Sequence, residues 1–314
     1  MRLDALASQP HYCDHLAPIL RRAALDGFEC RIFPTSHDTA HRCRQAGLTV
    51  GHGTIPDRGP PVLIAGAVDL PAVGRRGAVL VEHGAGQAYA DLDHPSWAGG
   101  HSRYAVRLYV VPRQSVADLN LDRYPHARAV IASPRVHELQ ALRSPTPEGW
   151  PVLIRRWDCT LISETRSAWA WYQPYADDYV TTGPGRLHCH PRIAHAYRRS
   201  PARQVRAWED VIAHAGCVVA DNTSATWEAV ACGIPVVLLD APWYRPDVEH
   251  GLRFWEHADV GPRIQQRSDL HDAIAEALAD TPTARARRES VSALVYEQPA
   301  DPAGEVVTAI ADLL

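Results

Sequence analysis

The chain has 314 residues, 46% of them hydrophobic and 22% charged, with a formal net charge of −4 at neutral pH. That length suits two domains with a real core each, and the mildly acidic balance excludes a dedicated nucleic-acid binder, which carries a clearly basic face. No apolar run approaches the roughly 18–20 residues a membrane span needs.

The opening residues Met1-Arg2-Leu3-Asp4-Ala5-Leu6 lack the apolar core of a signal peptide and run straight into a strand. The seven cysteines are scattered with no C-x-x-C pair, which predicts reduced thiols and a cytoplasmic location. Short apolar runs alternate with longer amphipathic ones, the pattern of βα units. In the first half, strands are predicted at 3–8, 30–34, 62–67, 78–81, 108–111 and 129–132, with helices at 14–25 and 37–46. The stretch Arg143-Ser144-Pro145-Thr146-Pro147-Glu148-Gly149 holds two prolines and a glycine and reads as a linker. It divides the chain into domains over 1–145 and 146–314.

After the linker the pattern restarts, with a strand at 152–155, a helix at 164–172 and a strand at 180–182 ending in Gly-Pro-Gly. Val205, Trp208, Val211, Ile212 and Ala215 share one face of a helix over 204–215. Strands at 218–220 and 236–239 flank a further helix, and Leu270, Ile274 and Leu278 mark another. Val306, Val307, Ile310, Leu313 and Leu314 give the last helix an apolar face, so it docks, with the first domain as one place to pack.

The richest segment runs from Cys217 to Val237 and reads strand, loop, helix, turn, strand. Asp221, Asn222, Thr223 and Ser224 are all good capping residues where the helix must start. The unsatisfied N–H groups there form a natural diphosphate cradle. Glu228 lies one turn after Ser224 on the same face, where a carboxylate accepts ribose hydroxyls. An ordinary capped helix is the plainer reading of the same residues.

Two histidines stand out. His83, in Glu82-His83-Gly84-Ala85-Gly86, follows a strand, and Gly84 and Gly86 allow backbone to approach a ligand. A neutral imidazole there takes a proton from an attacking hydroxyl. Glu82 either orients that ring or is a solvated neighbour. The second lies in His188-Cys189-His190-Pro191-Arg192. Two local nitrogens make a poor metal site, so no metal is assigned. The arginine-rich run Arg198 to Arg206 is a solvated face, a steering patch for an anionic acceptor, or a point of peripheral membrane contact.

On the 217–237 segment, the His-Gly pair at 83–84 and the His-Pro pair at 190–191, the chain resembles GT-B transferases, in particular the CDP-glycerol glycerophosphotransferase family. That resemblance implies an α/β fold of GT-B type, with two Rossmann-like domains facing a central cleft. It implies that Asp221, Thr223, Ser224 and Glu228 touch the donor's phosphates or ribose, that His190 and Arg192 neutralise the leaving diphosphate, and that His83 is the general base. His188 is then the structural member of its pair. Asn222-Thr223-Ser224 stands where that family more often has Tyr-Ser-Ser, which leaves the nucleotide base open. The segment around His15, from Gln9 to Pro18, resembles the family's opening strand, loop and helix. Residues 242–255, with Arg245, His250 and Arg253, fit either a ligand pocket or plain packing.

The implied activity is metal-independent transfer of a glycerophosphate or glycosyl unit from a nucleotide-diphosphate donor to a hydroxyl acceptor on a glycan, polymer or small molecule. The donor is a substrate, and no cofactor is implied. Two alternatives remain. One is a nucleotide-sugar 2-epimerase of the same fold, needing further carboxylates for which Asp91 and Asp93 are candidates. The other is a non-catalytic nucleotide-binding protein.

Overall fold

In the computed structural model the described residues are 1–85, 103–144, 147–160, 163–221, 223–244 and 257–314. Gly86, Asp91, Asp93, Asn222, Arg245, His250 and Arg253 lie outside them. The chain forms two compact units, Met1–Glu138 with Val295–Leu314, and Leu139–Leu294.

The first unit is built on six strands, β1 (Arg2–Ala7), β2 (Glu29–Pro34), β3 (Val62–Ile64), β4 (Ala78–Val81), β5 (Val106–Val111) and β6 (Arg128–Ile131). They pair in parallel in the order β2-β1-β3-β4-β5-β6. A parallel sheet is covered on both faces, so its strands are nearly continuous apolar runs, and all four residues of β4 are buried. Successive side chains point to opposite faces. Leu63, Val79 and Leu108 enter one core, and Ile64, Leu80 and Tyr109 the other.

Helix α1 (Pro10–Leu25) starts with proline, whose missing N–H costs nothing there, and buries Leu16, Ile19, Leu20 and Ala23. Helices α2 (His37–Gln45), α3 (Gln114–Arg123) and α4 (Pro134–Leu142) follow. Cys13 of α1 and Cys43 of α2 form a disulfide. This corrects the expectation of reduced thiols throughout: partners 30 residues apart carry no local signature, and the cysteines lend no support to a reducing compartment. No helix among the described residues is long and apolar enough to cross a membrane.

The second unit holds β7 (Trp150–Arg155), β8 (Arg186–Cys189), β9 (Ala215–Ala220), β10 (Val236–Leu239) and β11 (Arg263–Ile264), again parallel, in the order β11-β10-β9-β7-β8. Its helices are α5 (Trp169–Thr181), α6 (Trp208–His214), α7 (Ser224–Ala231), α8 (Leu270–Ala279) and α9 (Pro282–Val295). The predicted strand at 180–182 is instead the end of α5. Tyr172, Ala176, Tyr179 and Val180 are all buried at helical spacing. The predicted helix at 164–172 begins only at Trp169, after a 3₁₀ turn at Ser163–Thr165. The predicted helix over 204–215 begins at Trp208, because Val205 N–H donates to the Leu187 carbonyl at 2.9 Å and holds that stretch extended beside β8.

Gly233 follows α7 with φ of 72°. Ile234 N–H returns to the Ala229 carbonyl at 2.9 Å and Gly233 N–H to Val230 at 2.9 Å, the paired closure that a left-handed residue permits. The last helix, α10 (Pro302–Ala311), belongs to the first unit. It buries Val306, Val307 and Ile310 in the core shared with α1. Arg143 donates to the carbonyls of Ile212 at 3.1 Å and Ala215 at 2.8 Å, tying the start of the proline-rich stretch into the second unit.

In the first unit, Asp4 is a buried node. Arg76 donates to it at 2.8 Å and also holds the Pro60 carbonyl at 2.7 Å, pinning an irregular loop to β1. Burial alone raises the Asp4 carboxyl, but hydrogen bonds from Arg2 and Arg76, with their charges, outweigh it and hold it below the usual range. Asp4→Asn leaves the Arg76 guanidinium buried without its charge partner, so unfolding free energy by urea titration near pH 7 is expected to fall by about 3–5 kcal/mol. A carboxyl with a depressed folded pKa stabilises above its unfolded pKa of about 3.9 and loses that contribution as pH falls through the folded value. The difference between the two proteins is therefore expected to shrink below about pH 4.

Candidate functional site

In each sheet the chain leaves one strand to opposite sides in turn. From β1 it passes to β2 on one side and later to β3 on the other, and from β7 to β8 and then to β9. Loops leaving the carboxyl ends of such strand pairs diverge and open a crevice, the usual ligand position in open parallel sheets. The candidate residues gather at these two places.

In the first unit, His83 follows β4, and its Nδ1 lies 2.7 Å from the Ala65 carbonyl at the end of β3. A carbonyl only accepts, so Nδ1 carries the proton and Nε2 is the basic nitrogen of the neutral ring. Gly84 has φ of 90°, a conformation that favours glycine. Three rings from the first turns of α1 surround His83, with centroids 6.0 Å away for His11, 5.2 Å for Tyr12 and 5.9 Å for His15. Tyr12 reaches this place because residue 66 is glycine: a side chain there would collide with the Tyr12 ring.

Desolvation holds the His15 imidazole well below the ordinary histidine value, and the charges of His83, Arg135 and His11 add to it. His15 is therefore neutral near pH 7. Glu82 does not orient His83. It leaves the strand on the opposite face and takes a hydrogen bond at 2.7 Å from Arg103, which is 1% exposed and also donates to Asn120.

In the second unit, Asp221 directly follows β9 and is buried. Its Oδ2 accepts from Ser167 Oγ at 3.1 Å and the Ala168 N–H at 2.8 Å, and Arg156 Nε lies 3.2 Å from Oδ1. Its carbonyl accepts from Thr226 Oγ1 at 3.1 Å and the Thr223 N–H at 2.8 Å. Asp221 thus braces the entry to α5 and the start of α7 against β7, a position turned into the protein.

Thr223 caps α7 in extended conformation with no side-chain hydrogen bond to the helix, and Ser224 is the first helical residue. Glu228, one turn on, is 7% exposed and accepts from Trp208 Nε1 at 2.6 Å. His190 follows β8, and its Nδ1 accepts from the Arg192 N–H at 3.2 Å. The proton of the neutral ring therefore sits on Nε2, a donor for an anionic oxygen. The Arg192 guanidinium lies over Trp157, 4.5 Å from the ring centre. His188 is buried within β8 with Nδ1 3.0 Å from the Val205 carbonyl, and burial lowers its pKa.

The structure thus collects His190, Arg192, Asp221, Thr223, Ser224 and Glu228 at the carboxyl end of one sheet, and His15, His83 and Gly84 at that of the other. Sequence reading missed His11, Arg156, Trp157 and Trp208. Arg155-Arg156-Trp157-Asp158 directly after an apolar strand was the available signal for two of them. Trp208 had none, since it looked like one more residue on an apolar helix face. Arg198, Arg199, Arg203 and Arg206 are exposed.

No family model matches the sequence, and a search of curated proteins gives no match. Solved structures do match, along their whole length. A UDP-GlcNAc 2-epimerase from Methanocaldococcus jannaschii, in complex with UDP-GlcNAc and UDP, has a TM-score of 0.61 at 13% identity over 99% of both chains. The UDP-GlcNAc 2-epimerase of Neisseria meningitidis, bound to UDP-GlcNAc, gives 0.60 at 10% over 99% of both. A spinosyn rhamnosyltransferase gives 0.55 at 14%, over 99% of this chain and all of that one. The chain has the GT-B fold of two parallel-sheet α/β domains that these enzymes share. Membership of the CDP-glycerol glycerophosphotransferase family is not shown.

Asp221 and Ser224 are expected to respond differently to substitution. Asp221→Asn removes the negative charge 3.2 Å from Arg156, whose side chain is 12% exposed, and the expected loss in urea unfolding is about 1.5–3 kcal/mol, the scale of a hydrogen bond to a charged group. Ser224→Ala is expected to keep stability within about 0.5 kcal/mol and to weaken nucleotide affinity in calorimetric titration.

Proposed function

We propose that this protein is an enzyme acting on a nucleoside-diphosphate sugar, and that its reaction is inversion at a sugar carbon of the 2-epimerase type. The observation that carries this reading is the end-to-end fold match with enzymes whose structures hold UDP-GlcNAc and UDP. The chemistry of the second unit supports it. A diphosphate needs positive charge and directed donors. Arg192, the His190 Nε2–H and the start of α7 supply both without a metal, and Thr223 and Ser224 add hydroxyls. Glu228 is the candidate acceptor for ribose hydroxyls.

Inverting a carbon breaks one C–H bond and forms another on the opposite face. A base must take the first proton, and a proton must return to the carbon. His83 is the candidate base, because its Nδ1–H is committed to Ala65 and the basic nitrogen is Nε2. As a neutral imidazole it takes the proton at Nε2.

A second reading, favoured by the match to a rhamnosyltransferase, uses the same base to deprotonate an acceptor hydroxyl and transfers a glycosyl unit. The His-Gly and His-Pro pairs extend that reading to glycerophosphate.

Incubation with UDP-GlcNAc in D2O, with no acceptor, separates these readings. Inversion through a solvent-exchanging base is expected to add one deuterium at the inverted carbon and to give a second sugar epimer by NMR. Binding without deuterium incorporation overturns inversion and leaves transfer, to be followed with CDP-glycerol and other nucleotide sugars. His83→Ala is expected to lower kcat by about 100-fold or more with nucleotide affinity retained, and full turnover in that variant overturns the base assignment.

A further inference from the structure

The parallel strands of the first sheet all start along one edge, opposite the edge where His83 stands. The segments that lead into β4, β5 and β6, residues 72–78, 103–108 and 122–128, contain six arginines and a single acid, Asp122. The chain as a whole carries a net charge of −4, so this edge reverses its sign locally. Arg76 and Arg103 are buried and committed to Asp4 and Glu82. Arg75, Arg107, Arg123 and Arg128 are exposed. The adjoining entry to β3 adds Arg58 and Asp57, whose charges cancel.

Topology sets these segments side by side. Ala78 of β4 lies opposite Val106 of β5, and Leu108 of β5 opposite Arg128 of β6. The Arg107 side chain runs over Gly77, where an added Cβ would stand 3.0 Å from its Cγ. Before the middle strand comes Tyr104, 72% exposed. Its ring meets that of Tyr124 edge-on at 5.2 Å and lies parallel to that of His126, with centroids 6.4 Å apart. His126 Nε2 donates to the Tyr104 carbonyl at 3.1 Å, and Tyr124 is buried. Tyr104 is thus propped on a buried ring and presented outward among the arginines.

An aromatic ring with a polar tip suits the boundary between lipid headgroups and acyl chains, where tyrosine is enriched. Arginine lays its aliphatic stem along such a surface with its charge among the phosphates. Four arginines reach the size of the basic clusters that hold proteins on anionic leaflets. A second copy of this chain fits less well, because a two-fold interface sets the patch against itself, arginine facing arginine. A nucleic-acid strand is held on a series of stacking rings, whereas one face of Tyr104 is already turned to His126. We propose that the amino edge of β4, β5 and β6 docks on an anionic lipid bilayer, with Tyr104 at the headgroup level and Arg75, Arg107, Arg123 and Arg128 on lipid phosphates. Held by this edge, the first unit keeps the loops at the carboxyl ends of its strands, His83 among them, on the side away from the lipid.

The test is co-sedimentation of the full chain with vesicles of phosphatidylcholine alone and of phosphatidylcholine with about 30% phosphatidylglycerol. Binding is expected only to the anionic vesicles, and it is expected to fall as salt is raised, since exposed charges are screened. Each arginine beside an anionic surface contributes about a fivefold gain, so Arg107→Gln with Arg128→Gln is expected to weaken binding roughly 25-fold. Tyr104→Ser is expected to weaken it about fivefold or more while leaving the salt dependence in place. Removing two exposed arginines of the second unit, Arg198→Gln with Arg199→Gln, is expected to change binding by no more than about twofold. Absence of binding to anionic vesicles, or wild-type binding by the Arg107 and Arg128 double variant, overturns the proposal. An equal loss in the Arg198 and Arg199 pair overturns the assignment to this edge. Tighter binding to duplex DNA than to vesicles, dependent on Arg107 and Arg128 but indifferent to Tyr104, overturns the bilayer in favour of a nucleic acid.

Discussion

The constraint on which the rest depends is that every strand in both sheets runs the same way. A parallel strand cannot return by a tight turn, so each is followed by a crossover, and all the loops leaving carboxyl ends collect along one edge of each sheet. The chain then breaks its order once per sheet, beside β1 and beside β7. Those breaks are where neighbouring loops part, and the residues with chemistry to offer lie around them. His11 and Tyr12 follow β1, His83 follows β4 and reaches the end of β3, Arg156 follows β7 and Asp221 follows β9. Distant stretches of sequence thus reach common places through topology rather than through any local motif.

Much of the fold was legible. Buried parallel strands are continuous apolar runs, so 78–81 and 236–239 announced themselves, and the glycine closing α7 was visible from its place before Ile-Pro. What failed was local pattern under tertiary control. β8 is only Arg-Leu-His-Cys, too short and polar to read as a strand, and its pairing with β7 creates it. Residues 204–207 carry a helical spacing but are drawn out beside β8 by the Val205–Leu187 bond. The Cys13–Cys43 bond joins two helices whose contact no spacing encodes. For the site, residue types and strand ends pointed to His83, His190 and the start of α7. Trp208 and Arg156 became visible only when the sheets assembled.

His83 and His190 show how backbone partners set the work of identical side chains. At His83 the Nδ1 faces a carbonyl oxygen and must carry the proton, leaving Nε2 as a base. At His190 the Nδ1 faces the Arg192 N–H and must accept, leaving Nε2 as a donor. One ring is left with an accepting nitrogen and the other with an N–H donor. In the same cluster the titration of His15 is what the surroundings set, since burial and then the charges of His83, Arg135 and His11 hold that imidazole well below its ordinary value.

The two acids near α7 divide along similar lines. Asp221 and Glu228 are seven residues apart, both buried, and both plausible as ligand groups from sequence. Asp221 meets Ser167, Ala168 and Arg156, partners that arrive from β7 and the entry of α5, so it joins three segments of the same unit. Its charge is balanced by a guanidinium already in place. Glu228 lies on α7 itself and accepts from the Trp208 indole, which arrives from the start of α6. Two acids seven residues apart thus meet different parts of the same unit: Asp221 ties β7 and the entry of α5 to the start of α7, and Glu228 ties the middle of α7 to the start of α6.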